Sequence, residues 1–168
     1  PAEHTGKYDF QSILTHEIGH AAGFLSLATQ TGTFQVQSGN ASAAYSTMLY
    51  TRYDSLLTNQ EGQSIVNKAG NGNTAFTLGE TLSLGDTGLT AYNPATWQQG
   101  SSMAHIDSAS DPDALMQYSI SPDTYHRTLT DGEMELMRSM GWKMVPEPGT
   151  STLSLLGLAV LALRRRRC

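Results

Sequence analysis

Cysteine is almost absent from this chain. Of the 168 residues only Cys168, the last one, is a cysteine. No disulfide can therefore form within the chain, and no cysteine-ligated metal site is possible. Because Cys168 lies beyond an arginine cluster at the C-terminal end, we assign it no role. Any metal site must be built from other side chains.

Basic residues are scarce in the body of the chain. Four of the ten lysines and arginines are the consecutive residues Arg164 to Arg167. Without them, six basic residues stand against fifteen acidic ones, which leaves a net charge of −9. So acidic a domain offers no basic stripe for phosphate groups, and nucleic acid is excluded as the expected partner. The acidity suits a soluble extracytoplasmic domain.

A long hydrophobic run is also missing. The longest apolar stretch, residues 153–163, reads LSLLGLAVLAL. As a helix it would span about 17 Å of the roughly 30 Å hydrocarbon core of a bilayer. The arginine cluster after it predicts a cytoplasmic side for this end and an outside location for the body. The stretch is too short for a permanent anchor and better suits a processed sorting tail.

The C-terminal end combines three features in a fixed order: Val145-Pro146-Glu147-Pro148, the apolar run and the arginine cluster. This order closely resembles the PEP-CTERM sorting signal of exported proteins of Gram-negative bacteria. The resemblance implies an exosortase-type enzyme that recognises and removes the tail, with transient membrane insertion through residues 152–163. It also implies a location at the cell envelope or membrane and then, after processing, outside the cell. A plain tail anchor is the alternative.

Histidine and glutamate are concentrated in one short segment. His16-Glu17-Ile18-Gly19-His20 is a complete H-E-x-x-H motif. On a helix, residues four apart lie on one face, so His16 and His20 can direct two imidazole nitrogens at one zinc ion. Glu17 then lies beside the open position of the metal, where it can take a proton from a water molecule. An exposed helical face that carries two histidines by chance is the alternative interpretation.

The residues around the motif predict a helix that holds it in place. Asp9 is a favourable N-cap residue. The apolar residues after it recur at helical spacing and are Phe10, Ile13, Leu14 and Ala21, with Phe24 near the end. We expect this stripe to bury one side of the helix. Gly19 suggests close approach by another segment, and Gly23 predicts a left-handed turn that ends the helix.

Two histidines do not complete a catalytic zinc site, which generally takes three protein ligands and a water molecule. The compact metzincin pattern would have its third histidine where this chain has Ser26, and a hydroxyl is a poor zinc ligand. The remaining candidates are His4, His105 and His126. His4 lies close to the chain start without an ordering context. His126 is followed by Arg127, a cation that disfavours a nearby metal.

The segment around His105 completes a resemblance to a known family. The sequence H-E-I-G-H-A-A-G-F, a distant S-x-x-H ending at His105, and Leu115-Met116 after it together resemble the leishmanolysin-like metzincins. In that branch an insertion separates the third zinc histidine from the active-site helix, and a turn methionine forms a hydrophobic floor under the metal. The resemblance covers residues 9–25 and 98–144. It implies His105 as third ligand and Met116 as turn methionine, although Met116 could also be an ordinary core residue.

Tyr118 follows the methionine by two residues, a spacing also found in astacin-like and serralysin-like metzincins. In those proteins the tyrosine can approach the zinc and help to stabilise the oxyanion. The resemblance suggests the same role for Tyr118. The leishmanolysin-like turn more often has a proline near this place, so the chain departs from that pattern here.

The resemblance implies an α+β fold: a metzincin-like zinc metalloprotease catalytic domain over residues 1–144, mostly helix and loop. A linker at residues 145–151 and the sorting tail at residues 152–168, with a short hydrophobic helix, follow it. Metzincin domains have a twisted sheet ahead of the active-site helix, and its edge strand pairs with the substrate. Because fifteen residues precede His16, we expect this N-terminal sheet to be truncated and the chain to be a fragment of a longer precursor.

Two other regions carry structural predictions. Thr130 and Glu133 form a capping box that predicts a helix start, and the helix is expected to end at Gly141, with Trp142 folded back onto the core. Residues 75–84 predict a hairpin around Gly79-Glu80.

Together these residues predict a zinc-dependent endopeptidase. Zinc (Zn²⁺) on His16, His20 and His105 would lower the pKa of a water molecule, and Glu17 would take its proton and pass it to the leaving amine. Tyr118 would help to hold the oxyanion. The expected partner is a protein or peptide substrate. The alternative is a non-catalytic envelope or extracellular-matrix protein, structural or adhesive, with a vestigial zinc site.

Overall fold

The computed structural model describes residues 5–38, 46–70 and 74–143. The predictions for His4, for the linker and for the hydrophobic helix of the sorting tail lie outside these residues. None of the helices in the described ranges has the length and apolar character needed to cross a bilayer.

The described residues form three α-helices and one short 3₁₀ helix. They are α1 (Phe10–Ala21), the 3₁₀ helix (Asp54–Leu56), α2 (Ile65–Gly70) and α3 (Asp131–Ser139). The strands have two or three residues each and form two antiparallel pairs. They are β1 (Val36–Ser38) with β2 (Ser46–Met48), and β3 (Leu57–Thr58) with β4 (Ser83–Leu84). This mixture of helices and strands confirms the α+β class.

The ends of α1 follow from local sequence. Asp9 caps the first turn, because its carboxylate accepts hydrogen bonds from the Ser12 backbone N–H at 2.9 Å and the Ser12 hydroxyl at 2.6 Å. After Ala21 the chain reaches Gly23, whose φ of 119° is favourable only for glycine. The predicted N-cap and the predicted glycine stop are both confirmed.

The side of α1 that faces the core is not the predicted one. Phe10 is 74% exposed and Leu14 is 48% exposed, and Ala21 is exposed as well. The buried residues of the helix are Ser12, His16 and Gly19. The prediction that the apolar stripe buries one side of the helix is therefore wrong. At Gly19 the absence of a side chain lets Met116 pack against the helix, which a larger residue would prevent.

The core lies against this histidine face of α1 and is drawn mainly from loops and short strands. Its largest fully buried side chains include Phe24, Tyr53, Leu57, Phe76, Leu84, Ile106, Leu115, Met116 and Leu136. Phe24 is buried as predicted. None of these residues belongs to α1, so the helix is held mainly by segments that follow it in the sequence.

The predicted hairpin over residues 75–84 does not form. β4 pairs with β3, with Leu84 opposite Leu57. Residues 75–78 belong to no strand, and the backbone N–H groups of Ala75 and Phe76 donate instead to the Gly32 carbonyl at 2.7 and 3.3 Å. The two apolar segments are therefore buried by different neighbours, which local spacing does not reveal.

The start of α3 is the predicted capping box. The Thr130 hydroxyl accepts from the Glu133 N–H at 3.4 Å, and the Glu133 carboxylate accepts from the Thr130 N–H at 2.8 Å. Trp142, after the helix, differs from its prediction. Its Nε1 donates to the Ala22 carbonyl at 2.8 Å, but the side chain stays 52% exposed and does not enter the core.

Candidate metal centre

Three histidines converge on one point although they come from two distant parts of the chain. His16 and His20 lie one turn apart on α1, and His105 lies in the loop region before α3. One nitrogen from each ring lies within 4.8 Å of the other two. The Nε2 atoms of His16 and His105 are 3.2 Å apart. In a tetrahedral zinc site, two ligand nitrogens are about 3.3 Å apart.

The other ring nitrogen of each histidine is held by a backbone carbonyl. The pairs are His16 Nδ1 with Leu115 O at 2.8 Å, His20 Nδ1 with Phe24 O at 2.6 Å, and His105 Nδ1 with Ser101 O at 2.8 Å. A carbonyl oxygen only accepts, so each Nδ1 carries the hydrogen and donates it. This selects the tautomer with a free lone pair on Nε2, which is the usual second contact of a metal-ligating imidazole.

This choice of tautomer leaves the close contact between His16 and His105 without a hydrogen bond. When both rings are neutral, each Nε2 atom carries a lone pair, and the two atoms are 3.2 Å apart. A cation between them would turn this repulsion into attraction. Three imidazole nitrogens form a donor set suited to a divalent transition-metal ion. The residues present therefore fit a metal ion.

Burial of His105 favours the unprotonated imidazole, which is the form that binds a metal ion. Removal of the ring from water lowers the pKa of His105 to about 4, so the imidazole is neutral near pH 7 and its lone pair is not occupied by a proton. The charge of Glu17 acts weakly in the opposite direction on the same pKa. The Glu17 carboxylate is thus near the cluster, and its side chain is exposed to solvent.

Backbone pairing brings His105 to the helix. The Tyr92 N–H donates to the His105 carbonyl, and the Ile106 N–H donates to the Met116 carbonyl, both at 2.8 Å. Three short segments thus lie side by side, with His105 in the middle one. Met103, two residues earlier, has a φ of 68°, an unfavourable conformation for a residue with a side chain.

Met116 lies under the two helix ligands. Its side chain is fully buried, and a Cβ atom built on Gly19 would overlap the Met116 sulfur. Gly19 stands between His16 and His20 in the motif, so the methionine packs directly beneath the metal-facing turn. The close approach predicted at Gly19 is confirmed, and the segment that approaches is the one that contains Met116.

Tyr118 has a partner that the sequence did not indicate. Its ring stacks on Tyr92, with centroids 3.8 Å apart and planes within 6°. The Tyr92 N–H donates to the His105 carbonyl, so the backbone of Tyr92 lies next to that of the third ligand. Tyr118 is 37% exposed and remains accessible from solvent. Its role towards an oxyanion stays a prediction, and no spacing in the sequence links it to Tyr92.

The other candidate positions are engaged elsewhere. His126 directs its Nδ1 to the Asp113 carbonyl at 3.0 Å. Ser26, at the position of the third histidine in the compact pattern, donates its hydroxyl to the buried Asp54 carboxylate at 2.5 Å. Within the described residues, one group of three or more potential ligands converges, and it is the three-histidine cluster.

Comparison with known protein families gives one finding. Residues 145–167 match the PEP-CTERM protein-sorting motif. The match confirms the predicted tail, and it marks an exported bacterial protein whose tail is recognised by an exosortase-type enzyme. No curated protein and no solved structure matches the chain. The function of the metal centre is therefore inferred from its geometry and its sequence.

Proposed function

We propose that this chain is a zinc-dependent endopeptidase domain of the metzincin type, exported by a Gram-negative bacterium to its cell envelope. The observation that carries the proposal is the convergence of three Nε2 atoms beside a glutamate of the same helix. An H-E-x-x-H helix with a third histidine from a later segment is the arrangement of catalytic zinc sites with an open fourth position.

The ligands support zinc as the metal. The cluster consists of imidazole nitrogens, and three histidines with a water molecule form a common type of catalytic zinc site. A bound zinc ion supplies Lewis acidity, which makes a water molecule easier to deprotonate and polarises a substrate carbonyl. The three Nδ1–carbonyl hydrogen bonds support this assignment, because they fix each ring before the ion arrives.

Glu17 is the residue that moves protons in this proposal. Glu17 follows His16 in the sequence and its side chain is exposed, so a water molecule and a peptide can reach it. It accepts the proton of the attacking water and returns it to the nitrogen of the leaving amine. Its exposure supports the role, because a base that serves the substrate must be reachable from solvent.

Tyr118 is proposed to donate a hydrogen bond from its hydroxyl to the carbonyl oxygen of the substrate as negative charge develops there. The stack on Tyr92 fixes the plane of the ring, and so reduces the conformational freedom that would be lost on binding. The backbone hydrogen bond from Tyr92 to the His105 carbonyl supports a position near the reacting group.

The assignment to the metzincin type rests on the active-site helix, the turn that contains Met116 and the final helix. The turn that contains Met116 packs under Gly19, and α3 follows this turn and closes the described chain. An active-site helix, a methionine floor and a final helix occur in this order in metzincin catalytic domains, which the sequence resembles. The order supports the assignment.

A peptidase assay tests the proposal. The full chain is freed of metal with a chelator, reloaded with zinc, and incubated with a mixture of unstructured peptides. Mass spectrometry should detect cleavage products only with the reloaded protein. A protein that binds one zinc per chain and leaves every peptide intact would overturn the proposal. That result would favour a non-catalytic envelope protein with a vestigial site, for which the sorting tail would serve equally well.

A further inference from the structure

Glu133 has more contacts than a capping box requires. Its side chain is fully buried, and its carboxylate accepts three backbone hydrogen bonds. The donors are Thr130 N at 2.8 Å, Leu115 N at 3.1 Å and Met116 N at 2.7 Å. The bond to Thr130 completes the cap of α3. The other two reach back 18 and 17 residues to the turn under the metal centre.

Because this carboxylate is buried, its long-range hydrogen bonds are needed to replace its hydration. Removing a charged group from water is costly unless hydrogen bonds replace its hydration. A capping glutamate can make its bond at the surface, where no such cost arises. In this chain the backbone N–H groups of the turn replace the lost water, and the charge is placed beneath the metal-binding helix.

One peptide group connects Glu133 to a metal ligand. The Met116 N–H, which donates to Glu133 Oε1, belongs to the same peptide group as the Leu115 carbonyl. That carbonyl accepts the hydrogen of His16 Nδ1 at 2.8 Å. A continuous chain of hydrogen bonds therefore runs from a buried negative charge, through one peptide group, to the imidazole of the first ligand.

We propose that Glu133 is a positioning residue that orients His16 and raises its affinity for the metal through the Leu115–Met116 peptide group. The carboxylate polarises the peptide, which makes the Leu115 oxygen a stronger acceptor, and a stronger acceptor on Nδ1 makes Nε2 a better ligand. In many metal sites a carboxylate contacts the histidine directly; here a peptide group lies between them. The inference deepens the proposed function and rests on its metal site.

His105 provides an internal comparison. Its Nδ1 also donates to a carbonyl at 2.8 Å, that of Ser101. The peptide group of that carbonyl ends in the Ser102 N–H, which donates to the neutral Gln98 carbonyl at 2.9 Å. The two ligands therefore have equal hydrogen-bond distances, and only His16 has a carboxylate behind its acceptor.

The first test needs no substitution and no zinc. Proton and nitrogen NMR of the full, metal-free chain should show the Nδ1 hydrogen of His16 further downfield than that of His105, because its acceptor is the stronger one. A His16 hydrogen at the same field as that of His105, or upfield of it, would overturn the inference. The measurement does not depend on peptidase activity, so the proposed function and the inference can fail separately.

The second test removes the negative charge of Glu133. Glu133→Gln keeps the size of the side chain but removes the negative charge. We expect about a tenfold weaker zinc affinity in competition with a chromophoric chelator. The absorption spectrum of the cobalt-loaded protein should shift as well, because the field of one ligand changes. Glu135→Gln is the matched control: it removes the same charge from the exposed side of the same helix and should change neither readout.

A second control separates a general loss of stability from the proposed effect. Thr130→Ala removes the capping hydroxyl of α3 and leaves the bonds to the turn in place, so it should lower the thermal midpoint without a change in zinc affinity. If Glu133→Gln folds and binds zinc as tightly as the parent chain, the inference is overturned. If Glu133→Gln does not fold, the NMR comparison in the parent chain decides.

Discussion

The Nε2 atoms of His16 and His105 lie 3.2 Å apart, although 89 residues separate the two histidines in the sequence. Each ring is fixed from behind by a carbonyl, so neither can turn its Nδ1 hydrogen towards the other. Two lone pairs held this close are unfavourable unless a cation lies between them. The fold thus keeps a metal-binding arrangement in place, with a backbone carbonyl behind each ring.

Loss of the third ligand should abolish metal binding. We expect His105→Ala to bind zinc far more weakly, because two imidazoles remain, whereas His126→Ala should bind one zinc per chain like the parent. Metal analysis after dialysis measures this. In the parent chain, zinc at about 100 times its dissociation constant should stabilise the fold by about 2.7 kcal/mol, seen as a higher thermal midpoint. If His126→Ala lost zinc and His105→Ala kept it, the third ligand would be His126 and not His105.

Gly19→Ala distinguishes helix propensity from packing. On propensity alone, alanine would stabilise α1 by about 1 kcal/mol. Because the new methyl group would overlap the buried Met116 side chain, we expect a net destabilisation of about 1–3 kcal/mol. Urea unfolding of the metal-free protein measures it. In a Met116→Ala background the same substitution should lose most of its cost, and an unchanged cost there would show that the methionine is not responsible.

Tyr118→Phe tests the proposed role of the Tyr118 hydroxyl. The variant keeps the ring stack on Tyr92 but loses the hydroxyl, so kcat should fall by about 100-fold while KM and zinc content stay the same. Steady-state kinetics on a cleaved peptide measures both constants. The control is Tyr125→Phe, which removes the hydroxyl of another exposed tyrosine. Equal rates for Tyr118→Phe and the parent chain would remove Tyr118 from the mechanism.

The ion pair at the start of α1 should make stability depend on pH. The hydrogen bonds from Arg127, followed by those from Ser12, hold the pKa of Asp9 well below its ordinary value. A carboxylate with a depressed folded-state pKa stabilises the fold above its unfolded-state pKa of about 3.9, and this contribution is lost as pH falls through the folded-state pKa. Asp9→Asn should therefore be less stable than the parent chain near pH 6.

The difference between Asp9→Asn and the parent chain should shrink as the pH is lowered below about 4. Thermal unfolding at a series of pH values, with chelator present throughout, measures it without a contribution from metal loss at the histidines. A difference that stays constant across this range would show that the ionised carboxylate is not the source of the stabilisation.

Local features of the sequence predicted local features of the structure. The N-cap at Asp9, the glycine turn at Gly23 and the capping box at Thr130 depend on neighbouring residues and were confirmed. The His16–His20 pair follows from the helical repeat. His105 was selected by its resemblance to a family pattern, because spacing alone left three histidines open, and the structure brings it to the other two.

What the sequence did not reveal depends on contacts between distant segments. The apolar spacing of Phe10 and Leu14 predicted the wrong buried side, because the face that carries the ligands packs against the Met116 turn. β4 pairs with β3 and not with its neighbour in sequence. Tyr92 lies in a loop-rich segment with no motif, and Glu133 shows only its capping role locally. Each contact depends on chain topology, which residue periodicity does not encode.

The measurement with the most direct bearing on the proposed function compares Glu17→Gln with the parent chain at equal zinc content. We expect both to hold one zinc per chain, since Glu17 is not a ligand, and we expect the variant to cleave peptides at least about 100-fold more slowly because it has no base. Glu61→Gln, at another exposed position, should cleave like the parent. Equal cleavage by Glu17→Gln and the parent chain, or no cleavage by the zinc-loaded parent, would contradict the proposal.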